Sequence, residues 1–167
     1  MTGSWGIVVG AAAGEVRHGE GGFRLVPGDE MAYGDASATV EAPAGGHALT
    51  LTYTWTHPDD GLQDGVLLVG SPEDGSDTVE ATWLDSWHQQ PAPLPLTGTV
   101  DASTYGVLEL SAFYSGAWGW QIRLDLTSPE ETVIVMRHVI PEEALDQAPP
   151  GTQMQVGPYD VIDLRLR

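Results

Sequence analysis

The segment Leu49 to His57 constrains this chain more than any other. Leu49, Leu51, Tyr53, Trp55 and His57 fall on one parity, and Thr50, Thr52, Thr54 and Thr56 on the other. Successive side chains of a β-strand point to opposite faces, so this pattern describes a strand with one buried face and one solvated face. A helix would scatter the same apolar residues around its circumference. The outward threonines also have the β-branched shape that strands favour.

Similar segments punctuated by turns run along the rest of the chain. Trp5 to Ala13, Phe23 to Val26, residues 36–42, Gly65 to Ser71, Thr78 to His88, Leu96 to Asp101, Val107 to Ser115, Ala117 to Thr127, Thr132 to Ile140 and Tyr159 to Arg167 read as strands. Gly14 to Gly22 reads as a turn and Gln89 to Pro95 as irregular, while Pro141 to Ala148 reads as one or two helical turns with proline at the start. Pro27-Gly28-Asp29 and Asp74-Gly75 have the composition of tight turns. About ten short strands with brief connections and no crossover helices predict an all-β fold, an up-and-down antiparallel barrel. Closure also removes open sheet edges, which a chain without lysine is poorly equipped to protect. A length of 167 residues, 41% of them apolar, suits one barrel domain over residues 1–167.

Charge and composition narrow the function classes. The formal net charge is −18, from 24 acidic residues against six arginines. Such a surface repels phosphate backbones and anionic bilayers, so neither nucleic acid nor membrane is an expected partner. With no cysteine, thiolate metal sites and cysteine nucleophiles are excluded. The first residues carry no basic n-region and no stretch reaches the length of a membrane span, so the expected location is the cytoplasm.

Five segments in order, Tyr53-Thr54-Trp55-Thr56-His57, Asp64 to Gly70 (DGVLLVG), Trp83 to His88 (WLDSWH), Leu96-Thr97-Gly98-Thr99 and Gly119-Trp120-Gln121-Ile122, resemble the DUF1579-like proteins, a bacterial group of uncharacterised function. The resemblance covers about residues 50–140. It implies a lipocalin-like (calycin) barrel and no particular activity. Gly3-Ser4-Trp5 is similar to the Gly-x-Trp opening of lipocalins, where the tryptophan plugs one end of the barrel. The haem-binding nitrobindins share the broad fold, but their histidine-bearing final strand has no counterpart in residues 159–167. No cofactor is expected.

Polar residues among the aromatic stripes are the candidates for chemistry. On the 78–88 strand, Trp83, Asp85 and Trp87 share a face, which places Asp85 among indoles. A buried carboxylate must be paired, hydrogen-bonded or protonated. Arg137, in the apolar run VIVMRHVI, is the candidate partner. That pair reads either as an anchor for a polar or anionic ligand or as a structural ion pair. His88 has the opposite parity, which puts it on the surface unless a bulge at Ser86 turns it inward. His57 shares its face with Tyr53 and Trp55 near a barrel mouth. No spacing among His57, His88 and His138 supports a metal site, and no Gly-x-Ser-x-Gly elbow or phosphate loop is present, so no catalytic or metal residue is assigned.

Tyr53, Trp55, His57, Trp83, Asp85, Trp87, His88, Trp120 and Arg137 are therefore the candidate ligand-binding residues. Six Trp and five Tyr against two Phe describe an interior with polar tips, suited to a small amphipathic molecule. The competing readings are an enzyme using Asp85 with His88 or His57 as acid and base, and a structural protein with a filled core. A homodimer through an exposed strand face is a further expectation.

Overall fold

The computed structural model describes residues 5, 6, 10, 14–101, 106–147, 150, 151 and 154–167. Ten antiparallel strands form a closed up-and-down barrel: β1 Val16–Phe23, β2 Ala32–Glu41, β3 Ala48–His57, β4 Gly61–Gly70, β5 Thr78–Asp85, β6 Gln89–Val100, β7 Val107–Tyr114, β8 Trp118–Asp125, β9 Thr132–Ile140 and β10 Gly157–Leu166. Each strand pairs with its neighbours in sequence, and β10 pairs with β1 to close the ring. In β3 the predicted parity holds: Leu49, Leu51, Tyr53, Trp55 and His57 are all buried. A 3-10 helix, Glu142–Gln147, stands where helical turns were expected. Among the described residues no helix is long and apolar enough to cross a membrane.

Phe23 to Val26 is not a strand of its own, since β1 ends at Phe23, and three further expectations are corrected. Gly14 to Gly22 is not a turn; most of it is β1. Its glycines allow close approach rather than bending: a Cβ on Gly19 would lie 2.1 Å from the Arg165 carbonyl oxygen. Gln89 to Pro95 is not irregular; it begins β6. Pro91, Pro93 and Pro95 share one parity, so the missing N–H groups all face one edge of the strand. Because β7 joins β6 only from Thr97 to Val100, that edge has no ladder to lose. The third correction concerns Trp5 to Ala13: Trp5, Gly6 and Gly10 are helical, and residues 7–9 and 11–13 lie outside the described residues. Closure still leaves unpaired edge at the proline-bearing start of β6.

The two ends of the barrel differ. At one end Trp5 is 4% exposed and its indole N–H donates to the Gly46 carbonyl at 2.8 Å, so the tryptophan plugs that end. Gly3 and Ser4 lie outside the described residues. Leucines and isoleucines from strands around the ring (Leu49, Leu51, Leu67, Leu108, Ile122 and Ile134 among them) fill the interior above it. The β1–β2, β3–β4, β5–β6, β7–β8 and β9–β10 connections lie at the opposite end. There β6 and β7 diverge beyond the Thr97–Ser111 pair, and the barrel mouth is open.

The plug generates a stability test. Trp5→Ala removes a buried indole and should destabilise the barrel by about 3–5 kcal/mol, whereas Trp5→Phe, which loses chiefly the bond to Gly46, should cost about 1 kcal/mol. Urea denaturation followed by far-UV circular dichroism measures both; equal stability of all three proteins would show that the plug is dispensable.

Candidate functional site

The site begins at the end of β5. The pairing with β6 shifts between Trp83 and Asp85, and the chain then turns through Ser86, Trp87 and His88. Asp85 makes that turn with its own side chain: Oδ1 accepts the backbone N–H of Trp87 at 2.9 Å and of His88 at 2.8 Å. Ser86 pins the turn to β4, its N–H donating to the Asp64 carbonyl at 2.8 Å and its hydroxyl donating to Gln63 Oε1 at 2.8 Å. The reversal brings the His88 ring back over Asp85, with Nδ1 3.0 Å from Oδ1. His88 is thus not a surface residue; its side chain is 3% exposed.

The other carboxylate oxygen is held from across the barrel. Tyr53 donates its hydroxyl to Asp85 Oδ2 at 2.7 Å, and the Trp55 indole N–H donates to the same atom at 3.3 Å. Trp83 donates in turn to the Tyr53 oxygen at 2.8 Å. Register explains the reach: Tyr53 pairs with Gly65 on β4, and Gly65 pairs with Asp85 on β5. The phenol lies across the glycine, where a Cβ would come within 2.2 Å of the ring.

These contacts set the protonation states. Burial pushes the Asp85 carboxyl up, but the hydrogen bonds and charge of His88, with the Tyr53 hydroxyl, outweigh it and hold the group below the usual carboxylate range. Burial, reinforced by the Asp85 charge, raises Tyr53 well above an ordinary phenol, so it stays protonated and donates. An ionised Asp85 in turn keeps a proton on His88 Nδ1. His88 Nε2 is buried without a hydrogen-bond partner among the described residues.

Above His88 lies a pocket of about 500 Å³ at the open mouth. Trp87, His88 and Trp120, all expected at the site, line it. Trp120 packs edge-on against His88, with ring centres 5.3 Å apart, and stacks on His138 at 4.9 Å. Tyr53, Trp55, Trp83 and Asp85 lie below as a hydrogen-bonded floor.

Two candidates lie elsewhere. The Nδ1 of His57 accepts the backbone N–H groups of Asp59 and Asp60 at 3.1 and 3.0 Å, so this imidazole closes the β3–β4 turn while stacking on Trp87. Arg137 does not meet Asp85. It donates to Asp160 at 2.7 Å on the outer face, with its side chain 30% exposed. The parity of β9 decides this, because Ile134, Met136 and Ile140 point inward and Arg137 lies between them.

The same parity turns His138 into the pocket, where its Nε2 lies 3.3 Å from the Tyr114 hydroxyl. Burial, with a smaller contribution from the charge of His88, lowers the pKa of His138. Tyr114, Trp118, Ile140, Met154 and Tyr159 also line the pocket and were not anticipated. The Tyr159 hydroxyl donates to the Leu25 carbonyl at 2.7 Å, tying the β1–β2 connection to β10, so that Leu25 and Val26 join the wall. Tyr159 and Val161 share a parity, and the shift in pairing between Asp160 and Ile162 puts them on the same inner side as Ile162, Leu164 and Leu166. The signal for His138 was its shared parity with Ile134 and Met136. For His88 it was the Asp-x-x-His spacing of an Asp-initiated turn. Among the described residues no three His, Cys, Asp or Glu side chains gather to hold a metal ion.

Two variants test the floor. Gly65→Ala should displace the Tyr53 ring and destabilise the protein by about 1–3 kcal/mol. Asp85→Asn should cost about 1–3 kcal/mol at neutral pH, through buried donors and acceptors left mismatched. The folded pKa of Asp85 lies below its unfolded value. Its contribution is therefore complete above that unfolded value, about pH 4, and fades as pH falls through the folded pKa. Urea midpoints measured from pH 7 down to the acid limit should show the gap between wild type and Asp85→Asn narrowing in acid. A gap independent of pH would contradict the ionised carboxylate.

The closed ten-stranded barrel fits the calycin-like fold that the sequence resemblance implies. No protein-family model matches the chain, so none supports membership of the DUF1579 group, and no curated protein matches it either.

Proposed function

We propose that this protein binds a small, largely apolar molecule in the mouth of its barrel. The observation that carries the reading is the pocket of about 500 Å³ walled by Trp87, Trp118, Trp120, Tyr114 and Tyr159 and by the ring of His88, whose buried Nε2 has no partner among the described residues. The volume lies in the range of small-molecule sites, which are mostly apolar with a few polar groups that fix orientation. The interior nearer Trp5 is packed with aliphatic side chains, so the ligand sits at the mouth rather than along the whole axis.

The same buried nitrogen supports a second reading. An imidazole whose Nδ1 is held by a carboxylate is arranged as a general base, so Asp85 and His88 form an acid–base pair for an enzyme of this fold. His57 has no part in it, because its Nδ1 serves the turn.

Three of the six tryptophans line the pocket, so occupancy should be visible in intrinsic fluorescence. Titration with neutral bicyclic aromatics should quench the emission saturably at one molecule per chain. Met154→Trp, which adds bulk to the wall, should weaken binding at least about tenfold, or about 1.4 kcal/mol. Absence of quenching across a broad metabolite and lipid panel, with native mass spectrometry showing no carried-over ligand, would defeat the binding reading. Turnover of a substrate that is lost in His88→Gln would favour the enzyme.

A further inference from the structure

We propose that the mouth pocket takes a planar aromatic molecule carrying an ionisable hydroxyl, a phenol in chemical class, and that His88 Nε2 accepts its proton. The inference rests on the binding role proposed above and specifies the ligand.

Three observations converge. His88 is fixed in one tautomer, because Asp85 occupies Nδ1 from 3.0 Å. In the neutral ring Nε2 then presents a lone pair; this atom is buried and unpartnered among the described residues, and the His88 ring lines the pocket. A buried acceptor left unmade is costly, so the site rewards a ligand that brings a donor to that point. One side of the pocket is built of flat rings: Trp120 stacks on His138, and Trp118 lies 5.3 Å from the same imidazole. Such surfaces favour a ring that can stack or meet them edge-on.

Charge selects a hydroxyl over a permanent anion. No arginine is among the described residues lining the pocket. Arg137 is engaged by Asp160, and Arg24 donates to the Asp160 carbonyl while its guanidinium lies over the Tyr159 ring. The titratable groups around His88 are Asp85 on β5, His138 on β9, Tyr114 on β7 and Tyr159 on β10, with Tyr53 on β3 behind Asp85 and His57 packed beyond Trp87. None is a fixed cation. A phenol supplies its own balance: its O–H bond breaks, an Nε2–H bond forms, and the electron pair stays on the oxygen. The imidazolium then lies between the Asp85 carboxylate and the phenolate, and the net charge of the site is unchanged.

4-Nitrophenol is the probe, because its phenolate absorbs at longer wavelength than the neutral form. With buffer on the acid side of its solution pKa, binding to the wild-type protein should produce the phenolate band, equivalent to lowering the pKa of the bound phenol by about one unit or a tenfold change in ionisation. His138→Gln should keep the band, and His88→Gln should bind the phenol with its neutral spectrum. 4-Nitroanisole, which has no proton to give, should bind the wild type at least tenfold more weakly, a comparison that needs no variant to fold. A neutral spectrum in the wild type, a band surviving in His88→Gln, a band lost in His138→Gln, or equal affinity for the methyl ether overturns the inference. Binding of naphthalene without nitrophenol overturns it while leaving the binding role intact; failure of both probes overturns both.

Discussion

A single buried carboxylate organises the open half of this barrel. Asp85 accepts five hydrogen bonds: from the Tyr53 hydroxyl, the Trp55 indole, the backbone of Trp87 and His88, and the His88 ring. An ionised group so far from water persists only when its oxygens are satisfied. Here the donors come from three directions, and each commits another element. The backbone donors define the β5–β6 turn, the phenol and indole bring in β3, and the imidazole becomes a wall of the pocket. Removing the charge would release all of these constraints together, because they share one acceptor.

That arrangement separates two tasks along the barrel axis. Near Trp5 the interior is aliphatic and close-packed, and it supplies the hydrophobic stabilisation of the fold. Near the mouth large rings replace leucines, and their polar tips bond to Asp85, to Asp60, to a backbone carbonyl and to one another. Tyr53 and Trp83 form the boundary: both are fully inside, and their linked hydroxyl and indole pass hydrogen bonding from the packed half to Asp85. Gly65 makes the boundary possible, since only a residue without a Cβ leaves the phenol a path over β4. A rigid, satisfied floor is a condition for placing His88 within the tolerance that recognition of one donor group requires.

The fold was legible where parity ran uninterrupted. The threonine–apolar alternation of β3 and the Trp118, Trp120, Ile122, Leu124 series of β8 each point a continuous face inward. Legibility failed where the backbone departs from a simple period of two. The shift after Trp83 and the Asp85 turn moved His88 from the predicted outer face to the interior, and the shift at Asp160 to Ile162 hid Tyr159 and Val161. Glycines in β1 and prolines in β6 read as breakers because their use depends on a neighbouring strand: a carbonyl pressed against Gly19, and a β7 that leaves the proline edge of β6 alone. Arg137 was misplaced for a related reason. Both faces of β9 are apolar, so hydrophobicity could not tell which one held Asp160 and which one held Met136.

The charge distribution bears on which ligands the proposed site would take. With a formal net charge of −18, the protein repels permanent anions at long range, and no arginine among the described lining residues would compensate for that on arrival. A permanent cation would be drawn toward the surface but, unless it carries a donor, would leave His88 Nε2 unsatisfied. Neutral molecules escape the long-range repulsion. Among them, one that carries a labile proton gains an acceptor already oriented by a carboxylate. On the proposed binding role the site would discriminate by protonation as well as by shape, through the same buried charge that holds the mouth of the barrel together.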